Sequence, residues 1–156
     1  MPKRSAGLLV HRTGPDGGPE VLLVHPGGPF WARRDDGAWT VPKGEIEPGE
    51  QPMSVAEREF AEELGQPAPP GPRRDLGELR QAGGKWTQLW AVAGDLDVTV
   101  VTSNTFELEW PPRSGRIRSF PEIDRASWMA MPEARRKLLA SLVPFLDRLL
   151  ESLAEA

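Results

Sequence analysis

The sequence contains no cysteine, no apolar run long enough to cross a membrane and no excess of positive charge. The missing cysteine excludes disulfide bonds, thiolate-bound zinc and cysteine nucleophiles, and it fits a cytosolic location. The apolar run near the N-terminus, residues 6–10, is shorter than the core of a signal peptide and ends at His11. We therefore expect a soluble, cytoplasmic protein that has no membrane partner.

The charge balance limits the ligands that the protein can bind. Nineteen Lys and Arg residues oppose 23 Asp and Glu residues, which gives a net charge of -4. Binding to a nucleic-acid polymer relies on neutralising its phosphates with Lys and Arg, so no such partner is expected. A small phosphorylated substrate is compatible with this charge, because a bound metal ion supplies positive charge locally.

Turn-rich segments between aliphatic runs predict two hairpins. Residues 5–12 and 21–24 flank the first turn, and residues 76–81 and 86–93 flank the second. The chain of 156 residues has the length of one ordinary domain, and its hydrophobic content of 38% is enough for one core. We expect a single domain over residues 1–156.

A helix is predicted over residues 52–64. Pro52 suits a first helical turn and Gly65 suits a helix end. Four residues form one apolar stripe at helical spacing: Met53, Ala56, Phe60 and Leu64. The opposite side of this helix is almost entirely charged.

The other elements are predicted from weaker patterns. They are a loop over 26–37, a brief strand over 39–41, strands over 98–102 and 123–128, an irregular stretch over 103–120, and a closing helical period over 132–153 interrupted at Pro144. This order predicts an α+β fold with a mixed sheet between helices. The leucines of the last helix suit core or dimer packing, so both a monomer and a homodimer are open.

Three glutamates of the predicted helix can reach one site. Glu59, Glu62 and Glu63 lie three and four positions apart, which places them on one helix face. Like charges at this spacing destabilise a helix unless a cation offsets the repulsion. Mg²⁺ takes oxygen ligands and prefers a few carboxylates together with substrate phosphates. The simpler interpretation is a solvated acidic face in which Arg58 and Glu62 form an ion pair.

The full pattern from Gly44 to Gly65 outweighs that simpler interpretation. Seven identities have fixed positions, and their joint chance is on the order of one in 10⁸ for each starting position. They are Gly44, Glu50, Arg58, Glu59, Glu62, Glu63 and Gly65.

This pattern resembles the Nudix box, the signature of the Nudix hydrolases. The resemblance covers 23 of the 156 residues when Gln66 is included, and it departs from the family pattern only at Gln66, where an aliphatic residue is usual. It implies an α/β/α sandwich with a mixed central sheet and helices on both faces. The approach to the box, residues 39–45, is similar to the diadenosine polyphosphate hydrolase branch, although the tyrosine typical of that branch is absent.

The resemblance also implies a reaction and roles for individual residues. The reaction is attack of water on a phosphorus of a nucleoside diphosphate linked to another group, with Mg²⁺ as cofactor and Mn²⁺ as a substitute. The implied metal ligands are Glu59, Glu63, Glu62 and the carbonyl of Lys43. Glu62 is favoured over Glu59 as general base, Arg58 is expected to orient the acids, and Glu50 is expected to support metal-bound water.

Residues outside the box are candidates for binding the nucleotide. Lys43, Arg33 and Lys85 are candidates for phosphate contacts, and Trp86 for stacking on a base, although a strand tryptophan is more often a core residue. Residues 103–120 form the second candidate functional region, where Glu107 or Glu109 is expected to supply a further metal-binding acid.

Two functions of different class follow from these observations. The first is a pyrophosphohydrolase that acts on a small nucleotide, with dinucleoside polyphosphates and nucleoside triphosphates ahead of nucleotide sugars. The alternative is a catalytically inactive Nudix-fold module that binds nucleotides for regulation. We favour the enzyme, because a module that only binds has no need to keep Glu59, Glu62 and Glu63 together.

Overall fold

The computed structural model describes residues 2–155, which form a mixed sheet between helices and a separate two-stranded hairpin. The strands and helices are β1 (Arg4–Thr13), β2 (Pro19–Pro26), β3 (Lys43–Glu45), α1 (Pro52–Leu64), β4 (Arg74–Arg80), β5 (Trp86–Ala93), β6 (Thr105–Glu109), β7 (Ile117–Pro121), β8 (Ile123–Ala130), α2 (Met131–Lys137) and α3 (Pro144–Ala154).

Strand β1 lies at the centre of the six-stranded sheet. The strand order is β4-β5-β1-β2-β8, and the short β3 also pairs with β1. The β1–β5 pairing is parallel and the other pairings are antiparallel. The two predicted hairpins, β1–β2 and β4–β5, are confirmed, as is the mixed sheet.

Alternating residues of β1 face two different layers. Leu8 and Val10 pack in one cluster with Phe60 of α1. Leu9 packs in a second cluster with Ala134 of α2 and Phe145 of α3. Because side chains of a strand alternate between faces, α1 covers one face of the sheet and α2 and α3 cover the other. The predicted α/β/α sandwich is therefore confirmed.

Helix α1 has the predicted bounds. Pro52 stands in its first turn, and Gly65 ends it with φ of 71°. The Gly65 N–H donates to the carbonyl of Ala61 at 2.8 Å. The predicted stripe is buried except at Met53, which is half-buried.

Two predicted strands are wrong. Residues 39–41 make only isolated bridges to Val24 and Leu138, and the strand follows at β3. The β-branched run 98–102 begins as a 3-10 turn, because the Asp97 side chain accepts a hydrogen bond from Thr99 N at 2.8 Å and stabilises a turn.

Two other segments differ from prediction in how they are built. The stretch 103–120 contains the β6–β7 hairpin and is not irregular. The closing period is broken at Leu138 and Leu139 and not at Pro144, which instead begins α3 as its first residue. Proline lacks the N–H that a first-turn residue leaves unpaired, so it suits this position. Within residues 2–155, no helix has both the length and the apolar character to span a membrane.

Candidate active site

Gly44 of β3 lies directly against Glu59 of α1. A Cβ atom at Gly44 would lie 2.2 Å from Cδ of Glu59. Any side chain at this position would displace the glutamate, so glycine allows the acidic face of α1 to lie directly against the strand.

Glu63 is a largely buried carboxyl beside β3. Its Oε2 accepts a hydrogen bond from the Lys43 backbone N–H at 3.0 Å. Burial, and after it the negative charge of Glu59, raises the pKa of Glu63 to about 8, while the Lys43 charge opposes this change. Ionisation of Glu63 at neutral pH is therefore favoured by an added cation.

Glu122, which sequence reasoning missed, adds a further acid to this cluster. Burial, followed by the charge of Glu62, raises the pKa of Glu59, and Glu122 contributes in the same direction. The Glu122 N–H donates to the carbonyl of Asn104 at 2.8 Å, and the Asn104 N–H donates to the carbonyl of Glu62 at 2.9 Å. These two backbone contacts bring Glu122 to α1, and no local sequence signal could have found it.

Arg58 links the loop 46–51, called the box loop, to the acids of α1, which together with Glu122 form the acidic cluster. Its Nη1 donates to Glu50 Oε2 at 2.6 Å, and its guanidinium nitrogens lie 3.7 Å from Glu59 Oε1 and 3.9 Å from Glu62 Oε1. The hydrogen bond from Arg58, followed by that from the Glu47 N–H, lowers the pKa of Glu50. Arg58 thus contacts carboxylates both in the loop before α1 and on α1, and its role in orienting them stays a prediction.

The acidic cluster offers the kind of ligand atoms that a hard divalent cation binds. Within residues 2–155, no three acidic or histidine side chains converge at metal-binding distance. The donors are nonetheless all oxygens, and two of the carboxyls have a raised pKa that a cation would lower. The residues that fit are Glu59, Glu62, Glu63 and Glu122.

Lys43 and Lys85 place two positive charges close together. Burial lowers the pKa of Lys43, and the nearby Lys85 lowers it further, while Glu63 raises it. A Cβ atom at Gly7 would meet both the Lys43 Cβ and the Leu89 side chain, so Lys43 shares a sheet face with Leu89. Lys85 lies on the same face by strand alternation.

Two buried hydroxyls on that face are a second feature that sequence reasoning missed. Ser5 and Thr87 lie directly opposite each other on β1 and β5 and are at most 1% exposed. Neither hydroxyl has a hydrogen-bond partner in the part of the chain that the structure describes. They place unpaired polar groups beside Lys85.

Trp86 lies on the opposite face, next to the first turn of α1. It is half-buried and lines a cavity of about 220 Å³ together with Arg4, Ile46, Pro52 and Gln88, among others. An indole ring at the wall of an open cavity is accessible to a flat ligand. Its predicted role in base stacking stays a prediction.

The candidates Arg33 and Glu109 lie outside the acidic cluster. Arg33 is exposed in the loop 26–37. Glu109 accepts a hydrogen bond from the Arg113 N–H at 2.9 Å, within the β6–β7 hairpin. The metal role predicted for Glu107 or Glu109 stays a prediction, whereas Glu122 is the acid outside α1 whose charge acts on Glu59 and Glu63.

Comparisons with known proteins identify the family of this chain. The profile of the family described as NUDIX domain matches residues 1–153. A Mycobacterium tuberculosis protein that carries the provisional name 8-oxo-dGTP diphosphatase 3 is 35% identical over 112 residues, which are 68% of this chain and 50% of that protein. The chain thus spans about half the length of the curated relatives it matches.

Solved structures support the fold. A Caenorhabditis elegans Ap4A hydrolase binary complex has a TM-score of 0.66 at 22% identity and covers 97% of this chain and 99% of its own. The NUDIX domain of Shewanella oneidensis NrtR, complexed with ADP ribose, has a TM-score of 0.67 at 15% identity and covers 98% and 89%. A MutT protein from Methanosarcina mazei has a TM-score of 0.62 at 20% identity and covers 97% and 96%.

Proposed function

The chain belongs to the Nudix hydrolase family, and from this premise we propose that it is a magnesium-dependent pyrophosphohydrolase. Its substrate is a nucleoside diphosphate linked to another group, with dinucleoside polyphosphates and nucleoside triphosphates favoured. The observation that carries the proposal is the largely buried Glu63 carboxyl, held by the Lys43 N–H beside the other acids of α1. A carboxyl in this environment suits a cation ligand.

The proposed reaction is attack of water on a phosphorus of the pyrophosphate bridge. A bond forms between the water oxygen and phosphorus, the bond from that phosphorus to the bridging oxygen breaks, and a carboxylate takes the water proton. Glu62 suits this base role because its side chain is 45% exposed, against 22% for Glu59. When bound, the divalent cation neutralises charge on the phosphate oxygens and polarises the bridge.

Arg58 and Glu50 act on the other acids in this proposal. The bond from Arg58 to Glu50 fixes the guanidinium between the box loop and α1. From there its charge lies 3.7 Å from Glu59 Oε1 and favours the ionised form of that carboxyl, and it lies 3.9 Å from Glu62 Oε1. Both residues therefore position the groups that contact the substrate.

Groups outside the acidic cluster are proposed to hold the nucleotide. Lys43, Lys85 and Arg33 are the proposed phosphate contacts, and Trp86 is the proposed surface for a base. Trp86 faces Pro52 in the first turn of α1. Glu59 follows Pro52 by seven residues, so it lies roughly 10 Å further along the helix axis than the turn that Trp86 faces. The name of the Mycobacterium tuberculosis relative supports a nucleoside triphosphate as one favoured substrate.

The test is a nucleotide panel with Mg²⁺ in ¹⁸O-labelled water. We expect hydrolysis of at least one panel member, and the label identifies the phosphorus attacked. Glu63→Gln is expected to lower turnover by at least ~100-fold, because a metal ligand is lost. The matched control is Glu57→Gln on the same helix, where Glu57 pairs with Arg73 away from the cluster.

Binding without hydrolysis would favour the inactive nucleotide-binding module. Full turnover of Glu63→Gln at saturating Mg²⁺, with the variant folded, would contradict the metal assignment while leaving the hydrolase assignment intact.

A further inference from the structure

The β6–β7 hairpin, residues 105–121, and the loop 26–37 leave the sheet beside the acidic cluster. We call them the arm and the facing loop. The Asn104 N–H, at the base of the arm, donates to the carbonyl of Glu62 at 2.9 Å. Gly27, at the start of the facing loop, donates its N–H to the carbonyl of Glu122 at 2.9 Å. The base of each segment is therefore hydrogen-bonded to the backbone of a residue of the cluster.

The inner face of the arm contacts the facing loop. Directly opposite residues of antiparallel strands point to the same side, and the register pairs Phe106 with Phe120 and Leu108 with Arg118. A Cβ atom at Gly28 of the facing loop would lie 2.8 Å from the Phe106 ring. The side of the arm that carries Phe106 therefore lies against the facing loop, and we call it the inner face.

Trp110 and Arg116 continue the inner face toward the hairpin turn, where Trp110 N–H donates to the carbonyl of Arg116. The Phe30 ring of the facing loop lies 5.4 Å from the Trp110 ring. Glu107 and Glu109 alternate with these residues and therefore lie on the outer face.

Both segments carry arginines without an acidic partner. Across residues 2–155, five arginines of the arm and facing loop have no carboxylate within 4.0 Å: Arg33, Arg34, Arg113, Arg116 and Arg118. The two aspartates of the facing loop do not neutralise them, because Asp35 pairs with Lys137 and Asp36 pairs with Arg136 and Lys137 of α2. The arm and the facing loop thus carry five arginines without an ion-pair partner, on segments whose bases contact the backbone of Glu62 and Glu122.

These side chains have the chemistry that recognises a nucleotide. A guanidinium binds phosphate through two parallel hydrogen bonds. An aromatic ring stacks on a base, and Phe30 is 62% exposed. At roughly 3.3 Å per residue, the five-residue strands of the arm extend about 15 Å from the cluster. That reach matches the size of a nucleoside with its phosphates.

We propose that the arm and the facing loop bind a second phosphorylated nucleoside, through Arg116, Arg118 and the Phe30–Trp110 ring pair. The inference rests on the proposed function and narrows its substrate to dinucleoside polyphosphates. Trp86 would hold the first nucleoside near the start of α1, and the arm would hold the second one near its end. The hydrolysed bridge would then lie over the acids between them.

The test measures binding with analogues that cannot be hydrolysed, so that its outcome does not depend on activity. The ligands are diadenosine tetraphosphate and ATP, both with methylene groups in place of the bridging oxygens, titrated calorimetrically with Mg²⁺. Arg116→Gln/Arg118→Gln is expected to weaken binding of the dinucleotide by about tenfold or more and that of the ATP analogue by less than about threefold.

The matched control is Arg74→Gln/Arg135→Gln, which removes the same charge from exposed positions on β4 and α2. It is expected to leave both affinities unchanged within about twofold. Equal losses for both ligands in the arm variant, or no loss for either, would overturn the proposal. If the wild-type protein cleaves no nucleotide, the proposed function fails, and the affinities still decide whether the arm binds the second nucleoside.

Phe30 provides a second, independent variant. Phe30→Ala removes the exposed ring and is expected to weaken the dinucleotide selectively, whereas Phe30→Tyr keeps a stacking surface and is expected to retain wild-type affinity. Equal affinities of the two variants would contradict a stacking role. Circular dichroism of each variant confirms that the fold is retained.

Discussion

Glu63 is a carboxyl group that the folded chain holds in its protonated form at neutral pH. Burial and the Glu59 charge raise its pKa from the ordinary value of 4.5 to about 8. Between these pH values the folded state binds more protons at Glu63 than the unfolded state does. The free energy of unfolding therefore falls as pH rises from 4.5 to about 8.

Glu63→Gln is expected to remove this pH dependence. Relative to the variant, the wild-type protein should lose at most about 5 kcal/mol of unfolding free energy between pH 4.5 and pH 8. Urea denaturation at a series of pH values, with a chelator present, measures the difference. A difference between the two proteins that stays constant across this range would contradict the raised pKa.

Individual residues of the site differ in how far the sequence alone predicts them. Glu59, Glu62 and Glu63 share a helix face because of their spacing, so their grouping follows from local periodicity. Glu122 joins them only through the backbone contacts of Asn104 with Glu62 and Glu122. Such contacts depend on tertiary structure, and nothing near residue 122 indicates them.

At the scale of secondary-structure elements, the end of helix α1 requires a glycine at position 65. Its φ of 71° is strained for a residue with a Cβ, and a Cβ there would lie 2.5 Å from the Thr102 carbonyl oxygen. Gly17, in the β1–β2 turn, has φ of 83° and open space around it. The two glycines therefore separate backbone strain from steric contact.

Gly65→Ala is expected to lower the free energy of unfolding more than Gly17→Ala does. The backbone strain alone costs roughly 1–2 kcal/mol at either position, and the contact with Thr102 adds to it only at Gly65. Thermal and urea unfolding of the two variants measure both terms. Equal losses would show that the Thr102 segment moves away without cost.

The elements that sequence reasoning misread depend on contacts beyond their own residues. Helix α1 was predictable because its stripe, its proline and its terminal glycine all lie within the segment. The run 98–102 has strand-forming residues, but the Asp97 side chain stabilises a turn at its start. Among residues 2–155, strands β6 and β7 pair only with each other, so no neighbouring run of the central sheet indicated them.

For the whole molecule, a bound cation should couple the acidic cluster to global stability. A cation that binds only the folded state raises the free energy of unfolding, by about 2.7 kcal/mol at 100 times its Kd. Because Glu63 must lose its proton to bind the cation, the effect of Mg²⁺ should be larger at pH 8 than at pH 5.

Urea unfolding with Mg²⁺, or with NaCl at the same ionic strength, measures this coupling. Glu63→Gln should show little stabilisation by Mg²⁺ at either pH. Equal stabilisation of the variant and the wild-type protein at pH 8 would mean that Mg²⁺ binds elsewhere.

The pairing of β1 with β5 also determines the order in which parts of the site are completed during synthesis. Arg4 of β1 lies opposite Trp86 of β5, so during synthesis the first strand precedes its partner by roughly 4–16 seconds at the usual rate of translation. Residues of α1 emerge within that interval, while Val92 of β5, which packs in the α1 layer, has yet to be made. The acidic helix is therefore synthesised before the strand that completes its support, and the cluster acquires its full geometry only after Glu122 has also left the ribosome.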